Sequence, residues 1–125
     1  MRIGITLTSS MHVGDEYINL TKEVAESLAK NNYGVVFGGT DYGMMSVLAS
    51  SYKETGGQDL VGVMAKDLAE VTKGYKPFTA LDESIWCDTM YERKATIAEK
   101  SDGFIILPGG YGTIEELGDF FGGKV

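Results

Sequence analysis

A chain of 125 residues with 43% apolar side chains is long enough for one compact domain and too short for two ordinary ones. Eighteen acidic against eleven basic residues give a net charge of −7, which repels phosphate backbones and anionic bilayers and argues against nucleic acid or membrane as a partner. The single Cys87 closes no internal disulfide, and with the lone His12 it gives no zinc ligand set, so no metal is expected and a reducing cytoplasm fits. No apolar run approaches the roughly 20 residues that span a bilayer, and the opening Met1-Arg2-Ile3-Gly4-Ile5-Thr6-Leu7 is too short and too alternating for a signal peptide.

Residues 2–7 (RIGITL) read as a buried first strand, followed by Thr8-Ser9-Ser10 and a loop through Gly14. Asp15 is placed to cap a helix. Tyr17, Leu20, Val24 and Leu28 then recur at helical spacing as far as Lys30, and Asn31-Asn32 with Gly34 supply the stop. The pattern repeats, with residues 33–37 (YGVVF) as a strand, Gly38-Gly39-Thr40 as a turn, residues 42–55 as a helix and Gly56-Gly57 as its end. Residues 60–64 (LVGVM) form a third strand and residues 67–71 a short helical piece. Beyond Pro77, residues 78–81 are a weak strand candidate, residues 83–100 are helical by pattern, and residues 103–107 (GFIIL) form the last strand.

Strands that are short continuous apolar runs, alternating with helices, predict an α/β, Rossmann-like parallel sheet with helices on both faces. Residues 1–125 read as one such domain, with no internal repeats or linkers. Ligands of such sheets bind outside the carboxyl ends of the strands. The segments around Ser10, Gly39 and residues 108–112 all follow strands and therefore belong to that rim.

The last strand runs into Pro108-Gly109-Gly110-Tyr111-Gly112-Thr113, then Ile114-Glu115-Glu116. A strand that ends in glycines and turns into a helix leaves backbone N–H groups unpaired where the helix dipole favours an anion, and glycine lets the backbone approach it. The plainer reading is a tight turn with Thr113 as N-cap. The stretch lacks the Lys-[Ser/Thr] ending of a Walker loop. It also differs from Gly-x-Gly-x-x-Gly after a first strand, which leaves a phosphate cradle with Glu116 behind it, not an NAD or triphosphate site.

A second signal precedes it. Met90, Arg93, Ile97 and Lys100 fall on one helical stripe, which sets a guanidinium among apolar residues. Such a group needs a carboxylate or phosphate for its fork of donors, and Glu116 or a bound phosphate ester would serve; the plainer reading is an arginine that snorkels to solvent.

At these residues the chain resembles the LONELY GUY family of cytokinin-activating enzymes, often mislabelled "possible lysine decarboxylase". Its Pro-Gly-Gly-x-Gly-Thr-x-x-Glu motif is complete at residues 108–116, and its Met-His-Glu-Arg-Lys segment is similar to Met90-Tyr91-Glu92-Arg93-Lys94. Weaker similarity runs through Thr8-Ser9-Ser10, Phe37-Gly38-Gly39-Thr40, Gly43-Met44-Met45 and Leu60-Val61-Gly62-Val63-Met64. The resemblance implies hydrolysis of the N-glycosidic bond of a nucleoside 5′-monophosphate, without a cofactor, by a homodimer. It assigns Arg93 and Glu116 as the catalytic pair and Lys94, Gly109, Gly110, Tyr111, Gly112, Thr113, Ser10 and Gly39 as substrate-binding positions. Tyr91 stands where the family has histidine, Thr40 where it has a third glycine, and Thr8 where it has the glycine of the first loop. After Glu116 the chain reads Leu-Gly-Asp-Phe-Phe-Gly-Gly-Lys-Val, where the family continues a longer helix and adds a strand and a helix, so the C-terminal part is expected to be truncated.

Three rival readings follow. A decarboxylase needs a lysine in a setting suited to a pyridoxal Schiff base, and none of the lysines has one. Molybdenum cofactor carriers resemble the family and would use the glycine loop to grip an anion without cleaving a bond, and a non-catalytic nucleotide-binding module would do likewise. Arg93 and Glu116 together favour the hydrolase, because a carrier of a polyanion gains nothing from a carboxylate in its pocket.

Overall fold

The computed structural model describes residues 1–7, 15–41, 43–72 and 74–107. Ser10, His12 and the whole segment from Pro108 onward, with Gly109, Gly110, Tyr111, Gly112, Thr113 and Glu116, lie outside the described residues. In chain order the elements are β1 Arg2–Thr6, α1 Asp15–Lys30, β2 Gly34–Phe37, α2 Gly43–Glu54, β3 Leu60–Ala65, α3 Lys66–Val71, β4 Glu83–Cys87, α4 Met90–Lys100 and β5 Gly103–Ile106.

The strands make one parallel sheet in the order β4-β3-β2-β1-β5, with Ile3 opposite Val35, Ile5 opposite Ile105, Val36 opposite Val61 and Met64 opposite Trp86. Every residue of β2 and β3 is buried, because helices cover both faces of the sheet's centre and leave no polar side to alternate with. One face packs Ile5, Val35, Phe37 and Leu60 against Leu28 of α1 and Leu48 and Tyr52 of α2. The other packs Val36, Val61 and Val63 against Ile97 of α4, with Cys87 joining as a small buried hydrophobe. Met44 and Met64 are core residues, 2% and 1% exposed. The α/β doubly wound class expected from the sequence is the class observed.

Two expectations are corrected. Residues 83–87 belong to strand β4 and not to a helix running through to Lys100, since Ile85 and Cys87 turn toward α4 while Ser84 and Trp86 turn away, a period of two that no helix can hold. The helix starts only at Met90, after Thr89, whose side chain accepts from Glu92 N at 3.1 Å while Glu92 Oε2 accepts from Asp88 N at 3.1 Å. Residues 78–81 carry no strand. β4 takes the place beside β3 that such a strand would fill, and the backbone there ties down the turn after β2 instead, with Phe78 N donating to Gly39 O at 2.8 Å.

The chain steps from β1 outward through β2, β3 and β4, and β5 then returns to the opposite side of β1. The direction of winding thus reverses at β1. The carboxyl ends of β1 and its neighbours border the crevice where sheets of this kind take ligands.

Candidate functional site

Helix α4 begins directly after Thr89, close to the carboxyl end of β4, so its first turns stand at the rim of the sheet. Its inward side is formed by Arg93 and Ile97, the stripe expected from the sequence. Arg93 is only 5% exposed, which removes the solvent-snorkelling alternative. Its Nε donates to Val63 O of β3 at 2.8 Å, and its Nη2 donates to Gly38 O at the end of β2 at 2.9 Å. The remaining nitrogen, Nη1, has the Met90 thioether at 3.5 Å. No ion pair among the described residues reaches this guanidinium. Two carbonyls fix its plane, but carbonyl dipoles do not neutralise a full charge.

Gly38 explains how the guanidinium fits. A Cβ built there would overlap Nη2 of Arg93, so the β2 end can approach the cation only as glycine. A cleft opens at this place, lined by Ile5, Thr6 and Leu7 from the end of β1, by Gly38 and Met45, and by Arg93, Lys94 and Ile97 of α4. Its polar side holds Arg93 and Lys94, and its apolar side holds Ile5, Leu7 and Met45. Leu107 N donates to Thr6 O at 2.9 Å, which holds the chain just after β5 at the same rim beside β1.

Of the residues expected from the sequence, Arg93 and Lys94 therefore meet in the cleft. Gly39 is buried next to it at φ +79°, where a Cβ would run into Met64 and the Gly62 backbone, so its glycine has a packing reason of its own. Glu116, Ser10, Gly109, Gly110, Tyr111, Gly112 and Thr113 fall outside the described residues. Gly38, Met45 and Thr6 were not singled out as site residues. For Gly38 the signal was the glycine doublet at a strand end; for Met45 and Thr6, one residue type among many in a core, there was none.

Fold and cleft together define a doubly wound α/β protein with a buried arginine between α4 and the carboxyl half of its sheet. A family model described as possible lysine decarboxylase matches residues 45–124, and the chain belongs to that family. It is 35% identical to the cytokinin riboside 5′-monophosphate phosphoribohydrolase LOG2 of Arabidopsis thaliana over 93% of this chain and 53% of that protein. It is 40% identical to the cytokinin riboside 5′-monophosphate phosphoribohydrolase of Mycobacterium tuberculosis over 83% of this chain and 54% of that one. The chain thus spans about half the length of these relatives, and the LONELY GUY resemblance of its motifs holds across the sequence. Among solved structures, the molybdenum cofactor carrier protein of Chlamydomonas reinhardtii superposes with a TM-score of 0.79 at 20% identity over 98% of this chain and 71% of that one. The molybdenum cofactor binding protein of Rippkaea orientalis gives 0.78 at 17%, with the same coverage. At such identities the likeness shows the fold alone. No helix among the described residues is long and apolar enough to cross a membrane.

Proposed function

We propose that the chain hydrolyses the N-glycosidic bond of a nucleoside 5′-monophosphate, of the purine or cytokinin type, releasing free base and ribose 5-phosphate. The observation that carries this reading is Arg93, a buried cation held by the carbonyls of Val63 in β3 and Gly38 after β2 and without a carboxylate among the described residues, beside Lys94 in the cleft. The named relatives at 35% and 40% identity point to the same reaction. In this reading the 5′-phosphate rests on the backbone of Gly109, Gly110, Tyr111, Gly112 and Thr113 and supplies remote binding energy that positions the sugar. As the bond between C1′ and the base nitrogen breaks, positive charge builds on the ribose, and the Glu116 carboxylate beside it stabilises that charge and orients the attacking water. The water's oxygen goes to C1′ and a proton goes to the departing base. Arg93 keeps Glu116 ionised and in place or steadies the base as it leaves. Ser10 and Gly39 complete the rim.

The chain would work in a reducing cytoplasm, where its one cysteine stays a thiol, and as a homodimer, as the family resemblance implies. Sedimentation of the purified chain checks the dimer.

Incubation with AMP, and separately with an N6-substituted AMP, followed by chromatography for free base, tests the reaction. Release of base with ribose 5-phosphate as co-product supports it. Nucleotide binding without release moves the assignment to a carrier of the kind the fold neighbours represent. Glu116→Gln should keep nucleotide binding and lose about 10²-fold or more in turnover, the scale of a lost transition-state charge contact. Equal rates for the two proteins would overturn the mechanism.

A further inference from the structure

The cleft has a movable apolar wall that is pinned from behind. Met45, an unbranched thioether free to adopt many rotamers, lines the cleft beside Gly38 and Arg93. Its terminal methyl lies 3.1 Å from the point where a Gly38 Cβ would stand, hard against the strand end that holds Arg93. Its sulfur accepts a hydrogen bond from the Thr40 hydroxyl at 2.8 Å. Thr40 is itself 2% exposed, and its backbone is held by a bridge to Pro77 and by bonds of the residues on either side to the same strap, Phe78 N to Gly39 O and Asp41 N to Lys76 O, each at 2.8 Å. A rigid backbone thus fixes a hydroxyl, and the hydroxyl fixes a side chain that would otherwise sample the cleft.

We infer that Thr40 and Met45 act as a size gate at the β2 end of the cleft, favouring nucleoside monophosphates with a compact base over those whose base carries a bulky substituent. The inference rests on the nucleotide reading given above. In that reading Arg93 lies at the departing base, and a base beside Arg93 presents its flat apolar part to the neighbouring Met45. Sulfur and methyl then meet the ring, a contact methionine makes well, and a thioether locked in one rotamer leaves no room for a side chain on that ring. Thr40 is here a positioning residue, acting on the ligand through Met45.

The test compares base release from AMP and from an N6-alkylated AMP, as the ratio of kcat/KM for the bulky over the plain nucleotide. Thr40→Val keeps the volume but loses the hydroxyl, and the ratio should rise about tenfold, the scale of one or two methylenes gained or refused by an apolar pocket. Thr40→Ser keeps the hydroxyl and should hold the wild-type ratio within about twofold. Met45→Ala, which removes the wall itself, should raise the ratio as Thr40→Val does and covers the case in which the valine variant does not fold. A 13C label on the methionine methyls, with the Met45 signal assigned from Met45→Leu, should shift in Thr40→Val and not in Thr40→Ser. An unchanged ratio in Thr40→Val with a shifted Met45 signal, or a serine variant that behaves like the valine one, overturns the gate. Wild-type protein that binds nucleotide without turnover refutes the hydrolase, and the same ratio is then read from dissociation constants. Wild-type protein that neither binds nor cleaves either nucleotide overturns both readings together.

Discussion

Arg2 and Arg93 stand at opposite ends of the same sheet, and the chain treats them in opposite ways. At the amino end, Arg2 Nε meets Asp59 Oδ2 at 2.9 Å and its Nη2 meets Asp59 Oδ1 at 3.1 Å and Glu83 Oε2 at 3.5 Å, while its backbone N–H donates to Asp102. Donation to the Asp59 carboxylate holds this guanidinium above its ordinary pKa, with the surrounding carboxylates adding to it. At the carboxyl end, Arg93 is far more buried yet has only carbonyls and a thioether among the described residues. The Arg2 charge is satisfied by carboxylates within the described fold, whereas in the reading proposed above Arg93 is held for Glu116 and the nucleotide. The carboxyl rim is also where open α/β sheets bind ligands, and the two ends differ in the expected sense.

The largest effect should come from Arg93→Ala. It removes the cation from the cleft and leaves the carbonyls of Val63 and Gly38 without their guanidinium donors. We expect a loss of about 10²-fold or more in base release together with about 2–4 kcal/mol of stability, read by denaturant unfolding. Arg93→Lys should recover part of the stability and little of the rate, because an ammonium cannot span both carbonyls in one plane. Full activity in either variant would break the comparison.

Gly38→Ala comes next, since the added methyl enters the space of the Arg93 guanidinium. Overpacking of this kind costs about 1–3 kcal/mol. Its effect on turnover should vanish in an Arg93→Ala background, where nothing remains to be displaced. A double-mutant cycle measures that coupling, and additive losses would show that Gly38 acts elsewhere.

How much of this could be read in the sequence depends on which physical signal each part carries. β2 is an apolar run between Gly34 and Gly38, and β3 is an apolar run interrupted only by Gly62, so the sheet's middle was legible. The edge strand β4 was not, because Ile85-Trp86-Cys87 runs into α4 with only Asp88-Thr89 between, and an apolar run that short suits either period. The boundary was nevertheless written in Thr89 and Glu92, the capping pair whose bonds the structure contains. At the site, the stripe Met90, Arg93 and Ile97 foretold a guanidinium on the inner side of the helix, and burial followed. Its actual partners, Val63 O and Gly38 O, were beyond sequence reasoning. Any residue offers a carbonyl, and only the parallel register of β2 and β3 brings these two beneath α4.

A smaller effect sharpens the contrast at the amino end. The buried Tyr52 hydroxyl donates to Tyr33 O at 2.7 Å and accepts from Asp59 N at 3.2 Å, and desolvation holds its pKa above the ordinary tyrosine value. Tyr52→Phe should cost about 1–2 kcal/mol and leave base release unchanged. Because the folded pKa is raised, the folded state retains its proton where the unfolded chain gives it up. The contribution is therefore intact below the unfolded value of 10.0 and is lost as pH rises from there through the folded value. Alkaline unfolding followed over that range should be shallower in the phenylalanine variant, and identical slopes would show that the hydroxyl is not what titrates.

The smallest effect is expected where the ion pairs look best on paper. Asp59→Asn keeps the shape of the side chain facing Arg2 and removes its charge. Arg2 and Asp59 side chains are 33% and 42% exposed, so water already screens the pair and the net contribution should be at most about 1 kcal/mol, shrinking further as salt is added. Turnover should not change, since the pair lies across the sheet from the cleft. Unfolding measured at low and high ionic strength decides this. If Asp59→Asn costs as much as Arg93→Ala, the amino end holds the fold as tightly as the rim does. Burial without a neutralising partner would then no longer distinguish an arginine kept for a ligand from one kept for the fold.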